Sequence, residues 1–281
     1  MGLNLGGGKA VIVGDPHKDK SEKLFRAFGR FVESLGGRYI TAEDVGTCKE
    51  DMKYISQETS HVAGLEGKSG DPSPITAYGV FLGMKACVEW VFGSDDFKEK
   101  TVAIQGLGHV GMELIRLLSE AGANLIVADI YPDRARKVQR KFPGVQVVEP
   151  EKIYEVGCDI FSPCALGAVI NENTVEQLQC KIVAGSANNQ LKDDSLAERL
   201  SEKGILYAPD YIINGGGVIN IAEELTGLPY NRKKVLNKLS VIPMRLKEVF
   251  CLASSEGITT ARAANTVTSR RFKVRGKKNI W

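Results

Sequence analysis

Histidine is scarce in this 281-residue chain: only His17, His61 and His109 occur, and no two are spaced to share a helix face. A zinc centre built on paired histidines and a histidine-based nucleophilic triad are therefore both poorly supported. The six cysteines (Cys48, Cys87, Cys158, Cys164, Cys180 and Cys251) are scattered, with no C-x-x-C pair. No basic segment leading into an apolar run of roughly 7–15 residues opens the chain, so a secretory signal is not expected. Together these point to reduced thiols in a cytoplasmic protein rather than a disulfide framework. The most apolar stretch, residues 78–92, is interrupted by Lys85 and Glu89, so no membrane span is expected there.

Acidic residues are missing after Glu256, where Arg262, Arg270, Arg271, Lys273, Arg275, Lys277 and Lys278 follow. Setting those seven cations aside leaves 30 basic residues against 34 acidic ones, so the formal net charge of +3 belongs to the tail. A basic tail can touch nucleic acid or a membrane surface. A solvated, frayed terminus is the simpler explanation, and neither partner is expected. With 43% hydrophobic and 25% charged residues, the chain has a globular composition, and its length suggests two domains.

What is present is a rhythm of short β-branched runs and helical stretches. Residues 101–105 (TVAIQ), 124–129 (NLIVAD), 145–148, 159–161, 181–184 and 205–207 read as strands. Helices are expected over 109–121, 132–141, 171–178 and 193–203. In 109–121 the apolar Val110, Leu114, Leu117 and Leu118 fall at helical spacing. This alternation predicts an α/β fold, a Rossmann-type doubly wound parallel sheet. The first ~75 residues, with strands at 9–13 and 38–41 around a helix at 22–35, form a smaller α/β piece with too few elements to close a core alone. Beyond Asn214 helices are expected over 218–224 and 231–254. The expected organisation is a partial catalytic domain over 1–75, joined by about 255–281, and a dinucleotide-binding domain with hinge helices over 76–254.

Gly106-Leu107-Gly108-His109-Val110-Gly111 is a G-x-G-x-x-G turn directly after a strand and opening a helix. The first glycine makes the turn, and the second lets backbone N–H groups approach a pyrophosphate. The third allows close helix–strand packing. Asp129 closes the next strand 18 residues after Gly111, where a carboxylate can accept both ribose hydroxyls. A 2′-phosphate would meet that carboxylate, so NAD is expected over NADP, although Arg134 and Arg136 lie just beyond.

A dehydrogenase also needs a proton-exchanging group, and His109 sits in the pyrophosphate turn. Lys9 follows three glycines and opens an apolar run. Walled in by apolar groups or a second cation, such a lysine can serve as a general base; alternatively it is a solvated surface cation. Asp44, in the segment 39–46 at a strand end, can relay a proton to Lys9 or simply cap a turn. Asn188, Asn189 and Asn214 occupy further loop ends, where amides suit a carboxamide or a carboxylate, or turn chemistry.

Taken together, several segments resemble the Glu/Leu/Phe/Val amino-acid dehydrogenase family. They are Leu3-Asn4-Leu5-Gly6-Gly7-Gly8-Lys9, residues 39–46, Pro72-Ser73-Pro74-Ile75-Thr76-Ala77-Tyr78-Gly79, Pro163-Cys164-Ala165-Leu166-Gly167, residues 184–190 and residues 208–216. The resemblance runs from Gly2 to about Ala264. It implies NAD-dependent oxidative deamination of an L-amino acid to a 2-oxo acid and ammonia. Lys9 then matches the catalytic lysine and Asp44 the proton-shuttling aspartate. Thr76, Ala165, Asn189 and Asn214 match cofactor positions, and Asn188 matches a position near the substrate carboxylate. Ala42, Val218 and Ile221 match the side-chain pocket; all are apolar, so a branched aliphatic substrate, L-leucine first, is expected over glutamate. Family members carry a further N-terminal segment with a carboxylate-binding lysine and much of the oligomer-forming sheet. No basic residue precedes Lys9 here, so either the chain begins upstream and forms homo-oligomers, or it is a catalytically weak NAD-binding relic.

Overall fold

Parallel strand pairing organises the middle of the chain. The computed structural model describes residues 1–65 and 68–275. Six strands, β1 (Thr101–Gln105), β2 (Asn124–Ala128), β3 (Gln146–Val147), β4 (Ile160–Pro163), β5 (Ile182–Val183) and β6 (Leu206–Tyr207), form one sheet in the order β3-β2-β1-β4-β5-β6. Every pairing is parallel. The order reverses between β1 and β4, which is the switch point of a doubly wound sheet.

Side-chain alternation explains the two layers. Ala103, Ala128, Phe161, Val183 and Tyr207 share one buried cluster with Val175, Leu196 and Leu200. The intervening Val102, Ile104, Leu125, Val127, Ile160 and Ile182 point the other way and are equally buried. Both faces are covered, which is why these strands read as continuous apolar runs.

The helices are α1 (Glu22–Ser34), α2 (Lys49–Ser56), α3 (Ser73–Phe92), α4 (His109–Glu120), α5 (Pro132–Lys141), α6 (Thr174–Gln177), α7 (Ser195–Glu202), α8 (Asp210–Ile213), α9 (Gly216–Glu224), α10 (Arg232–Lys238), α11 (Val241–Glu256) and α12 (Thr260–Arg275). One compact unit comprises Thr76–Gly216 and the chain from Leu239, with Met1; the other comprises Gly2–Ile75 and Gly217–Lys238. The chain passes from one unit to the other between Ile75 and Thr76. The returning segment differs: Gly217–Lys238 joins the first part of the chain, not the last ~25 residues.

Buried ion pairs and hydrogen bonds account for this. Glu224 accepts from the Gly64 and Ser69 backbone N–H groups at 3.0 and 3.3 Å and from the Ser69 hydroxyl. Its neighbour Glu223, almost fully buried, pairs with Lys238 at 2.5 Å, and the Tyr230 hydroxyl donates to buried Asn220 at 2.6 Å. The start of α12 instead stays with the sheet. The Thr260 hydroxyl donates to the Tyr207 carbonyl at 2.7 Å, Tyr211 donates to Asn265 at 2.9 Å, and Ala263 and Ala264 are fully buried.

The basic tail is therefore helical to Arg275 rather than frayed, and Arg270 and Arg271 each lie 3.3 Å from a glutamate, Glu256 and Glu248. Lys277 and Lys278 lie outside the described residues. The single helix expected over 231–254 is broken between α10 and α11. Contrary to the reading of residues 78–92, α3 is long and apolar enough by composition to cross a membrane. Half of its most apolar window is buried, and its charges are paired, Lys85 with Asp95 at 2.7 Å and Glu89 with Lys247 at 2.6 Å. Gly83 faces Ile213 and Leu246 so closely that a Cβ would sit 2.6 Å from Ile213. This is a core helix of the sheet unit.

In the other unit, Ser21 caps α1 by accepting from the Leu24 N–H at 3.2 Å. Phe25 on α1 packs with Met52 and Ile55 of α2 and with Val62. The expected strand at 38–41 shrinks to one parallel bridge between Thr41 and Val62. The expected strand at 9–13 is not formed: among the described residues no strand pairs with it, and Val11 and Val13 are 79% and 98% exposed.

The Glu224 contacts make a local prediction. Glu224→Ala should speed hydrogen exchange at the Gly64 and Ser69 amides at least tenfold while leaving sheet amides protected. Unchanged exchange at both amides would contradict the assigned role.

Candidate functional site

The glycine turn is fixed by backbone contacts. Gly106 has φ +99°, and its N–H donates to the Ala128 carbonyl at 2.8 Å, which ties β1's end to β2. A Cβ on Gly111 would lie 2.1 Å from the Gly106 carbonyl oxygen, so only glycine lets α4 start this close to β1. A Cβ on Gly106 would meet Ala165 at 2.7 Å, so the loop after β4 presses on the turn at the switch point. Gly108, in contrast, faces open space and caps α4 without a side-chain acceptor. The first turn of α4 thus presents backbone N–H groups at a helix N-terminus suited to an anion.

Asp129 completes this cradle. Its side chain is only 4% exposed; Oδ2 accepts from the Leu107 N–H at 2.7 Å and Oδ1 from the Tyr131 N–H at 2.8 Å. Arg134 Nη1 lies 3.4 Å from the same Oδ2. Behind β1, Gln105 donates to the Tyr154 hydroxyl at 2.5 Å, and burial pushes the Tyr154 phenol up. These features fit a dinucleotide: donors for a pyrophosphate, space at Gly108 and an acceptor for ribose hydroxyls.

The asparagines meet as well. Asn214 donates to the Asn188 side-chain oxygen at 2.6 Å and to the Ser186 carbonyl at 3.3 Å. Asn189 is left-handed, at φ +50°, and its carbonyl accepts from the Ala168 N–H at 2.7 Å, joining this loop to the Ala165 loop. Two supports carry no role in the sequence reading. Buried Gln190 donates to the Gly185 and Ala187 carbonyls at 2.8 and 3.0 Å, and Asp210 accepts from the Gln190 N–H at 3.0 Å. Asp210 lies in the 208–216 segment and opens a helix after Pro209 as an acid, but neither signal assigns it this bond.

Lys9 and Asp44, in the other unit, form a direct ion pair between Nζ and Oδ2. Asp44 is held in a turn, with its N–H donating to the Thr47 hydroxyl at 2.9 Å and its own Oδ1 accepting from the Val45 N–H at 2.7 Å. Lys9 is not walled in: its side chain is 65% exposed, as a solvated surface cation would be. Ala42 and Ile221 are half-buried in the same unit, and Val218 is exposed. Thr76 lies in the first turns of α3.

Residues 1–61 match the Glu/Leu/Phe/Val dehydrogenase dimerisation domain, and residues 67–131 and 128–275 match the Glutamate/Leucine/Phenylalanine/Valine dehydrogenase family. The match thus continues to residue 275, past Ala264. Leucine dehydrogenase of Thermoactinomyces intermedius is 54% identical over 98% of this chain and 75% of its own length. Phenylalanine dehydrogenase of Bacillus thermotolerans is 48% identical over 99% of this chain and 74% of its own. The crystal structure of L-tryptophan dehydrogenase from Nostoc punctiforme superposes with a TM-score of 0.80 at 44% identity, covering 97% of this chain and 78% of that one. Hetero-hexameric glutamate dehydrogenase from Thermus thermophilus shares the fold, with a TM-score of 0.72 at 21% identity over 89% of this chain and 68% of that one.

The contrast between two glycines tests the cradle. Gly111→Ala must displace a backbone carbonyl and should lower the melting temperature by several degrees, at about 2–4 °C per kcal/mol. Gly108→Ala should cost less than half as much. Equal losses in thermal denaturation would contradict the contact.

Proposed function

The chain belongs to the Glu/Leu/Phe/Val dehydrogenase family, and from that premise we propose that it carries out reversible NAD-dependent oxidative deamination of a branched-chain L-amino acid, L-leucine foremost. The family works with a nicotinamide cofactor, and the Asp129 carboxylate, set to receive ribose hydroxyls, supports NAD. The Lys9–Asp44 ion pair carries the chemical reading, because a lysine and a carboxylate in contact can exchange a proton.

When bound, the nicotinamide supplies the acceptor for the hydride leaving the substrate Cα. Leu107, Gly108, His109 and Val110 would line the pyrophosphate, with Gly106 and Gly111 shaping the turn. Thr76, Ala165, Asn189 and Asn214 would hold the nicotinamide end, and Asn188 would orient the substrate carboxylate. Once Lys9 has handed its proton to Asp44, the neutral amine can take the proton of the water that attacks the iminium carbon, and Asp44 can pass the proton it received to the departing ammonia. Ala42, Val218 and Ile221 would surround the side chain; with no cation among them, a second carboxylate would be stranded, so an aliphatic substrate fits.

Residues 1–61, which match a dimerisation domain, support self-association. The six free thiols suit a reducing cytoplasm. The exposure of Lys9 favours a second reading, dinucleotide binding without turnover.

A spectrophotometric assay of NADH formation with a panel of L-amino acids separates the two. The expected order is leucine, isoleucine and valine ahead of phenylalanine, with glutamate last. Lys9→Ala should cut the rate by about 10²–10⁴ while NADH binding persists. NADH binding with no turnover of any L-amino acid would instead establish the second reading.

A further inference from the structure

Arg134 stands where it can act on cofactor choice. It lies in the first turn of α5, five residues after Asp129, and its Nη1 is 3.4 Å from the Asp129 carboxylate. Its guanidinium also lies over the Tyr131 ring, 4.5 Å from the centroid, so stacking holds it beside the end of β2. Tyr131 is itself tied to Asp129, since the Tyr131 N–H donates to Oδ1 at 2.8 Å. Asp129, Tyr131 and Arg134 thus form one linked group beside the glycine turn.

An unaccompanied buried carboxylate would repel a 2′-phosphate. Here its charge is met by two backbone N–H groups and a guanidinium. That guanidinium is 46% exposed, and one carboxylate oxygen at 3.4 Å takes up few of its five N–H donors. Arg136 is differently engaged, with Nη2 2.5 Å from Asp133. We infer that Arg134 sets how sharply this site distinguishes dinucleotides with and without a 2′-phosphate, so that NADP(H) is a second, weaker ligand. The inference rests on the dinucleotide site proposed above and deepens it.

Calorimetric titration of the whole protein with NADH and NADPH, at one fixed ionic strength, tests it. The probe variants are Arg134→Met and, as a control of equal charge change farther along α5, Arg140→Met. Native protein should bind NADH, with NADPH weaker by no more than about 100-fold. Arg134→Met should widen that ratio at least tenfold, mostly through NADPH, with NADH changed less than threefold; the retained NADH affinity also reports a folded variant. Arg140→Met should leave the ratio within about twofold. The inference fails if Arg134→Met weakens both ligands alike or neither, if Arg140→Met widens the ratio as much, or if native protein binds NADH but no NADPH at millimolar concentration. Native protein that binds neither would overturn the dinucleotide site itself, and this inference with it.

Discussion

The approach of Gly111 to the Gly106 carbonyl is the contact on which the sheet unit's chemistry depends. A Cβ 2.1 Å from a carbonyl oxygen has no way to be accommodated except by moving the backbone. Because both positions are glycine, β1 runs into α4 with almost no connecting loop. The N-terminus of α4 then lies at the carboxyl end of the sheet, beside the reversal of strand order. Gly106 simultaneously abuts Ala165 after β4 and bonds to Ala128 at the end of β2. One turn therefore locks three strand ends, and Asp129 closes it by accepting the Leu107 N–H.

Around that turn the protein uses buried polar groups as braces. Gln190 and Asp210 hold the Asn188–Asn189 loop, and Asn214 crosses to Asn188. In the other unit, Glu223 and Glu224 do comparable work on α10 and on the loop at Gly64 and Ser69. Each is a charged or amide group that makes at least one directed bond to a loop or helix beside it, which offsets part of the cost of its burial. Such braces fix loops that side-chain packing alone would leave loose.

Much of the sheet unit was legible because strands buried on both faces advertise themselves as short apolar runs between glycines. The glycine turn and Asp129 were legible because their spacing has a mechanical reason. The segment that rejoins the first part of the chain does so through Glu223, Glu224 and Lys238, and charged residues read as surface in a linear pattern. Helix α2 was missed because eight residues with three apolar ones give too little periodicity. Residues 9–13 have a strand's composition yet form no strand pairing among the described residues, since propensity cannot supply a neighbour. The Asn188–Asn214 contact joins residues 26 apart, a distance at which spacing conveys no geometry.

Every role proposed for the sheet unit depends on its glycine turn and Asp129 serving as a dinucleotide cradle. A crystal structure of the protein grown with NAD tests this most directly. The expected density places the pyrophosphate against the Leu107–Val110 backbone, with the adenosine ribose hydroxyls on Asp129. A dinucleotide bound elsewhere on the unit, with Asp129 contacting only the Leu107 and Tyr131 N–H groups and Arg134, would contradict it.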